Sequence, residues 1–310
     1  MSTGWSTHRL LLLRELQLRG TITAVATALS YSPSTVSQQL AQLEREVGAP
    51  LLQPDGRRVR LTAQGETVAA HAAQVLGLEE RARAEIDVSN PLPAPVRIAA
   101  LQTSARALLP RMLDMLAVTH PGLRVEAWVT PPEEGLFEVE ARGFDLVIAE
   151  QYPGHTREHR PGLDRVVLGR DPIRLAVGHD SGVFSIEEAA DAAWVMEPEG
   201  TAVRTWSVQQ CRAAGFEPDV RYSAADLLAQ VRLISSGHAV GLLPEQLLAG
   251  DESPVRLIDL PGSPHREIFT SARESSRDAK GVIAVRAALQ QAFDDAAAAF
   301  GDPNAMPHID

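Results

Sequence analysis

The spacing of apolar residues predicts three short helices in the first fifty positions. The first runs to about Arg19, where Gly20 favours a stop, and Thr7 can cap its start. The second covers residues 24–29 and consists mostly of small apolar residues that let a neighbouring helix approach closely. The third runs from residue 33 to residue 47. Together they predict a small helical unit at the amino end of the chain.

The third helix has the clearest signals of start, stop and buried face. Ser32 is a good N-cap, Pro33 falls at the first helical position, and Gly48 ends the helix. One face is apolar at steps of four, three and four, which is typical of a buried stripe. These positions are Val36, Leu40, Leu43 and Val47.

A hairpin and a long helix follow the three short helices. Residues 53–61 contain Pro-Asp-Gly between two short apolar runs, which predicts a small hairpin with Arg57 and Arg58 at the start of its return strand. Thr62 can cap a helix that reaches about Val88. Its four-three apolar spacing suits pairing with a second helix. The positions concerned are Val68, Ala72, Val75, Ala82 and Ile86.

A Pro-rich stretch, residues 89–95, lacks periodicity and predicts a hinge. Beyond it, short apolar runs alternate with helical segments, which is typical of α/β units. The first group of predicted strands is 96–100, 124–129 and 145–149. The second group is 174–177, 194–196, 220–222, 239–243 and 255–260. A strand near 268–271 and a helix over 281–300 close the chain, so we expect two α/β lobes with a cleft between them.

The net charge of −11 alone argues against a nucleic-acid partner, but the charge is distributed unevenly along the chain. Residues 1–65 contain seven Arg and four acidic residues, or +3, while the remaining 245 contain 22 basic and 36 acidic residues, or −14. A basic head on an acidic body permits a polyanionic partner.

Cys211 is the only cysteine, which favours a reducing compartment, and no apolar run is long enough to span a bilayer. We expect a cytoplasmic protein without a membrane partner.

The outer face of the third helix has the chemistry of a DNA-reading surface. It carries short hydroxyls and glutamines instead of the usual Lys and Glu, so it is slim and both donates and accepts hydrogen bonds. Gln pairs with N6 and N7 of adenine, and Ser and Thr serve several bases or phosphates. With the preceding helix this unit is a helix-turn-helix, and the arginine hairpin is a candidate wing. The candidate base readers are Ser34, Thr35, Ser37 and Gln38; the candidate backbone contacts are Ser32, Pro33, Arg57 and Arg58.

Several segments resemble one known family. "TITAVATALSYSPSTVSQQLAQLEREVGAPLL" followed by "GRRVRLTAQG" is similar to the winged helix-turn-helix and linker helix of LysR-type transcriptional regulators. "VRIAALQTSARALLP", "HPGLRVE", "GFDLVIAE" and "AAGFEPDVRYSAADLLAQVRLISSGHAVGLLP" resemble, in the right order, the two lobes of the family's periplasmic-binding-protein-like effector domain.

The resemblance implies an α/β protein overall, with a DNA-binding head, a linker helix that mediates dimerisation, and a two-lobed effector domain. The expected divisions are 1–62 for the winged helix-turn-helix, 63–90 for the linker helix, 91–95 for the hinge, 96–300 for the effector domain and 301–310 for a tail. Lobe 1 would cover about 96–150 and 267–300, and lobe 2 about 165–266. The resemblance further implies a homodimer or homotetramer on a partly palindromic operator, with ligand closure of the lobes moving the heads. RNA polymerase would be a further partner.

A small-molecule effector should bind where strand-to-helix loops meet between the lobes, because exposed N–H groups and hydroxyls lie there. A small organic acid would suit such loops. The candidate residues are Thr103, Ser104, Thr130, Thr201 and Ser223.

No catalytic or metal site is predicted. His155 and His159 have the i, i+4 spacing of metal ligands, but Gly and Pro bound the segment on both sides and no further ligand set is nearby. The sequence lacks a nucleophile elbow, a phosphate-binding Gly-rich loop and an H-E-x-x-H motif. We expect no cofactor and no enzyme activity. One alternative remains open at this point: a two-lobed small-molecule-binding protein or transferase whose helical head only mediates oligomerisation.

Overall fold

A computed structural model of the chain describes residues 4–56, 58–87, 95–155, 157, 160–248 and 253–301. Its head contains three helices, a two-stranded antiparallel hairpin and the beginning of a long helix. The bounds are α1 (Thr7–Arg19), α2 (Ile22–Ala28), α3 (Pro33–Val47), β1 (Leu52–Asp55), β2 (Arg58–Leu61) and α4 (Ala63–Asp87). These elements confirm the predicted helix-turn-helix, hairpin and long helix.

Local capping explains most of the helix boundaries in the head. Gly20 and Gly48 both adopt the left-handed conformation, with φ of 74° and 76°, and end α1 and α3 as predicted. Thr62 Oγ1 accepts a hydrogen bond from the Gly65 amide and so caps α4. The prediction for Thr7 is wrong, because Ser6 occupies the N-cap position of α1 and Thr7 is already helical. The second helix also begins earlier than predicted, because the Thr21 side chain accepts from the Ala24 amide.

The amino half of α4 packs inside its own head. Val68 and Ala72 are buried in the same apolar cluster as Leu12 and Leu16 of α1. This corrects the predicted seam, because these two positions are covered by α1 and not by a second long helix. Farther along α4, Leu78 and Ile86 are exposed at 59% and 75%. Pairing through the predicted apolar stripe would therefore use its carboxyl-half positions Ala82 and Ile86, which are exposed.

The strands of the body are β3 (Val96–Ala100), β4 (Val125–Val129), β5 (Leu146–Gln151), β6 (Val166–Val177), β7 (Ala193–Met196), β8 (Asp219–Ser223), β9 (Gly241–Pro244), β10 (Arg256–Ile258) and β11 (His265–Ala272). One seven-stranded sheet runs through both lobes in the order β10-β6-β11-β5-β3-β4, with β9 also paired to β6. A separate two-stranded parallel sheet pairs β7 with β8.

Helices cover the sheet on both faces. Their bounds are α5 (Gln102–Ala107), α6 (Leu109–Thr119), α7 (Pro132–Glu140), α8 (Ala202–Ala213), α9 (Leu227–Ser235) and α10 (Lys280–Gly301). Short 3₁₀ turns occupy Glu187–Ala189 and Glu245–Leu248. In lobe 1, α6 and α10 pack on one face of the sheet and α7 on the other, and separate apolar clusters fill lobe 2. The two-lobed α/β fold is confirmed.

The strand β6 belongs to both lobes. Its first half pairs with β11 in lobe 1, and its second half pairs with β9 and β10 in lobe 2. Only its last four residues were predicted as strand, because Arg170, Asp171 and Pro172 interrupt the apolar run. The chain therefore passes between the lobes near Asp171, and the exact domain divisions given above stay predictions.

No helix among the described residues is long and apolar enough to cross a membrane.

Candidate functional site

The first turn of α3 is built from hydroxyl side chains that bond to one another. Ser32 Oγ accepts from the Thr35 amide at 3.1 Å and lies 2.8 Å from both Ser34 Oγ and Thr35 Oγ1. The Ser37 hydroxyl donates to the Pro33 carbonyl at 2.9 Å. These bonds hold the start of the helix rigidly while leaving acceptor lone pairs of the hydroxyls on its surface.

The outward face of α3 is accessible. Its exposed residues are Ser32, Pro33, Ser34, Ser37 and Gln38, whereas Thr35 is half-buried. Gln38 makes no hydrogen bond within the described part of the chain, so both ends of its amide are available to a partner. Its neighbour Gln39 is different, because its Oε1 accepts from Arg9 Nε at 2.9 Å. On the opposite side, Val36, Leu40 and Leu43 are buried in the head core.

The hairpin exposes Arg58 at the surface of the head. Arg58 begins β2 and is exposed, and Gly56 makes the turn with φ of 61°. Arg60 lies on the same side of this strand, two positions on, and is also exposed. Arg57 lies outside the described residues. A cation at this position suits contact with a phosphate backbone.

The head contacts the body through α1 and not through α3. Arg19 donates from both terminal nitrogens to the Glu138 carboxylate at 2.8 Å, and Arg14 pairs with Glu140 at 2.9 Å. Glu15, almost fully buried, also pairs with Arg19. Burial raises the pKa of Glu15 although Arg19 opposes that effect. The Arg19–Glu138 and Arg14–Glu140 pairs join residues more than 100 positions apart and leave the outer face of α3 uncovered.

Between the lobes lies a cavity of about 560 Å³. The predicted residues Thr103, Thr130 and Thr201 all line it. Thr201 caps α8, accepting from the Arg204 amide at 3.3 Å and donating to the Pro198 carbonyl at 2.9 Å.

The structure places the other two predicted effector residues elsewhere. Ser104 is fully buried, and its hydroxyl donates to Gln246 Oε1 at 3.0 Å. Ser223 is exposed at the end of β8 and does not line the cavity. Ser104 lies in the first turn of α5 with its side chain in the core, and Ser223 is the last residue of β8 with its side chain exposed outside the cleft. They are therefore not part of the candidate cavity.

Five charged residues line the cavity that sequence reasoning did not select: Glu133, Glu150, Arg157, Glu197 and Arg266. They come from both lobes and from the crossing between them. Glu197 directly follows β7 in the segment that leads to α8, so its place in a strand-to-helix loop is the sequence signal that could have identified it.

Arg266 is the central cation of this group and is only 2% exposed. It donates to Asp171 at 2.7 and 2.9 Å, to Thr103 Oγ1 at 2.6 Å, and to the Glu150 carboxylate. Burial disfavours its charged form, but Glu150 and Asp171 outweigh that cost and raise the pKa of Arg266. Because Arg266 joins α5, β5, β6 and β11, it fixes the floor of the cavity where the lobes meet.

Glu197 has a strongly perturbed environment. Burial, followed by the nearby charge of Glu150, raises its pKa to about 7; Glu133 adds to the rise and Arg266 opposes it. Its carboxylate makes no hydrogen bond or ion pair within the residues that the structure describes. Such a group changes charge near neutral pH and is a candidate ligand-binding group.

No group of three or more His, Cys, Asp and Glu side chains suitable for a metal was found among the described residues. His159 lies outside them, so the structure does not address its spacing from His155.

Comparison with known proteins assigns the two parts of the chain. Residues 7–66 match the family model described as "Bacterial regulatory helix-turn-helix protein, lysR family", and residues 90–294 match the "LysR substrate binding domain". The chain is 29% identical over 239 residues to the HTH-type transcriptional activator IlvY of Salmonella typhimurium, a match covering 74% of this chain and 79% of that protein.

Solved structures share the fold along almost the whole chain. A full-length OxyR variant from Pseudomonas aeruginosa is similar with a TM-score of 0.65 at 18% identity, over 93% of this chain and 95% of that one. Full-length CbnR complexed with its target DNA gives a TM-score of 0.54 at 19% identity, over 93% and 100% of the two chains. Both are full-length molecules, so the resemblance includes the head, the long helix and the body.

Proposed function

The chain belongs to the LysR family, a family of transcriptional regulators and not of enzymes, and from this premise we propose how it reads DNA and senses its effector. It is a LysR-type DNA-binding transcriptional regulator with an effector-binding domain. The alternative of a transferase or solute-binding protein with a purely oligomerising head is excluded by this assignment. The proposals below concern which residues act, in which assembly, and on which ligand.

The proposed reading surface is the amino half of α3. Gln38 and the hydroxyls of Ser34, Thr35 and Ser37 contact base edges in the major groove. Ser32 and Pro33 shape the approach to the backbone, and the wing residues Arg57 and Arg58 contact phosphates. The single observation that carries this proposal is the exposed Gln38 amide, which has no partner within the described chain.

Two copies at least would bind together on a partly palindromic operator, as a homodimer or homotetramer. Exposed apolar side chains in the carboxyl half of α4, at Leu78 and Ile86, support pairing through that helix. We further propose that the protein contacts RNA polymerase and is located in the cytoplasm, as its role in transcription regulation suggests.

Effector binding in the interlobe cavity would move the heads through α7. This helix carries Glu133 at the cavity near one end, and near its other end Glu138 and Glu140 pair with the head. A shift of α7 on ligand closure would therefore act directly on Arg14 and Arg19. Thr103, Thr130 and Thr201 are proposed to bind the effector's polar groups. A carboxylate group of the effector, the chemistry expected from the sequence, would bind these hydroxyls and the N–H groups at the start of α8.

Binding to the DNA upstream of the protein's own gene tests the reading surface. Gln38→Ala should weaken operator binding by about 1–3 kcal/mol and relax base preference at one position, whereas Arg58→Ala should weaken binding to all duplexes similarly and reduce the salt dependence. Gln39→Ala is the matched control, since its amide is already bonded to Arg9. Unchanged affinity and base preference in both Gln38→Ala and Arg58→Ala would contradict the placement of the reading surface.

A further inference from the structure

The charges that line the cavity are not balanced. Three carboxylates, Glu133, Glu150 and Glu197, face two guanidinium groups. Arg157 is already bonded to the Glu133 carboxylate and, through Nε at 2.6 Å, to the Glu150 carbonyl. Arg266 is bonded to Glu150 and to Asp171, a carboxylate just behind the lining. The described lining therefore offers no unpaired cation and one unpaired carboxylate, that of Glu197.

A second polar group without a partner lies beside Glu197. Tyr152 is 3% exposed, and its hydroxyl makes no hydrogen bond within the described residues. It lines a recess of about 10 Å³ that also contains Glu197, Val203 and Leu227, and those three residues line the main cavity as well. The recess therefore extends the cavity at its Glu197 end with a second group suited to a polar ligand atom.

We propose that the effector carries a protonated nitrogen, an amine or a guanidine, and that the Glu197 carboxylate binds it with Glu150 and Glu133 facing it across the cleft. This inference rests on the proposed role of the cavity as the effector site and adds the chemical class of the ligand. Glu197 belongs to lobe 2, and Glu133 and Glu150 belong to lobe 1. A cation between them removes the mutual repulsion of these carboxylates and draws the lobes together.

The charges of the cavity do not favour an organic acid that lacks an amine. Its carboxylate would enter a cleft with excess negative charge and would find no unpaired guanidinium or ammonium group among the described lining residues. The amide groups at the start of α8, beside Thr201, still favour an anion. A carboxylate on the same molecule can bind there, provided that the molecule also presents its nitrogen to Glu197.

Matched pairs of small molecules test the proposal on the full chain. Butylamine is compared with butyrate, and 1,4-diaminobutane with succinate, by thermal shift and titration calorimetry at millimolar concentrations. Each pair keeps the carbon chain and exchanges ammonium for carboxylate. We expect the amines to bind and stabilise the protein and the acids to do neither.

Glu197→Gln should weaken amine binding at least about tenfold, because it removes the charge and keeps the size. Glu199→Gln is the matched control: Glu199 lies two residues away, is exposed and does not line the cavity, so amine affinity should be unchanged. Ala202→Trp, which fills the cavity, should abolish binding. DNA binding by each variant, measured in the same preparation, shows that it is folded.

The pH dependence gives a readout that a purely structural role would not move. Glu197 faces Glu150 and Glu133, which raise its pKa, and Arg266, which lowers it. It also neighbours the Tyr152 hydroxyl and Arg204 of α8, whose guanidinium donates to the Glu197 backbone carbonyl at 3.2 Å. With a pKa of about 7, the ionised fraction rises about tenfold between pH 6 and pH 8. Amine affinity should rise by about that factor in the parent and stay nearly constant in Glu197→Gln, since alkylamines remain protonated throughout.

Two results would overturn the proposal. Binding of the acids with equal or greater affinity in Glu197→Gln would show that the cavity takes an anion, which leaves the effector site intact and rejects the ligand class. Binding of none of the four molecules would also reject the proposed recognition, while operator binding in the same samples would show that the regulator itself functions.

Discussion

Replacing Arg266 by Met should destabilise the body more than any exposed ion pair does. Arg266 is 2% exposed and Asp171 is 3% exposed, and the Glu150 carboxylate is mostly buried beside them. Met keeps most of the length of the side chain but supplies no charge and no donor. The variant therefore leaves two neighbouring carboxylates inside the protein without their shared cation.

The expected loss is set by uncompensated buried charge. Removing one partner of a buried ion pair typically costs about 3–5 kcal/mol, because the remaining charge keeps its desolvation penalty. For a domain of roughly 200 residues, each kcal/mol lowers the melting temperature by about 2–4 °C. Arg266→Met should thus lower the melting temperature of the body by roughly 6–20 °C at pH 7.5.

Tryptophan fluorescence during thermal unfolding of the full chain measures this loss, because Trp194 and Trp206 are buried in lobe 2. The control is Arg212→Met, since the Arg212–Glu217 pair is mostly exposed and should leave the melting temperature unchanged.

Adding Asp171→Asn to Arg266→Met should recover part of the loss, because it removes one of the two carboxylates left without their shared cation. A shift in melting temperature below about 2 °C in Arg266→Met would refute the assigned role of Arg266.

Two further predictions concern close packing and the thiol. Gly65→Ala should destabilise the head by about 1–3 kcal/mol and weaken DNA binding, because a Cβ there would lie 2.1 Å from the Leu51 carbonyl oxygen. Gly77→Ala is the control, because the nearest atom to its new Cβ would be Ser275 Cβ at 3.6 Å. This variant should be neutral or stabilise α4 by up to about 1 kcal/mol. Thermal unfolding and operator affinity of both variants check this, and equal stability would contradict it. Burial raises the pKa of Cys211 to about 12, so iodoacetamide at pH 7.5 should not modify it in the folded chain and peroxide should not change operator affinity. Rapid alkylation without unfolding would show that the thiol is accessible.

Sequence reasoning succeeded where the determinants are local. The cap at Ser32, the Pro33 start, the Gly48 stop and the apolar stripe all lie within seventeen residues, and α3 has the predicted bounds. Its exposed polar face followed from the same periodicity. Thr103 and Thr201 could likewise be predicted to lie at the cleft from local sequence, because each lies at the start of a helix that comes shortly after a strand.

The charged part of the cavity could not be predicted, because its partners are distant in sequence. Arg266 bonds to Thr103, 163 positions away, and to Asp171, 95 positions away. Asp171 and Arg266 are directly opposite in the β6–β11 register, yet both polar residues interrupt apolar runs and so favoured a loop in the sequence. The ion pairs between α1 and α7 could not be predicted for the same reason, because their partners are also more than 100 positions apart.

Photo-crosslinking from position 38 tests the central claim that the outer face of α3 reads DNA. A benzophenone amino acid replaces Gln38 in one variant and Val118 in another; Val118 is 83% exposed on α6 of the body. On the operator, the account predicts crosslinks from position 38 to bases at two symmetry-related sites and none from position 118. Crosslinks from position 118 together with none from position 38, in a protein that still binds the operator, would contradict it.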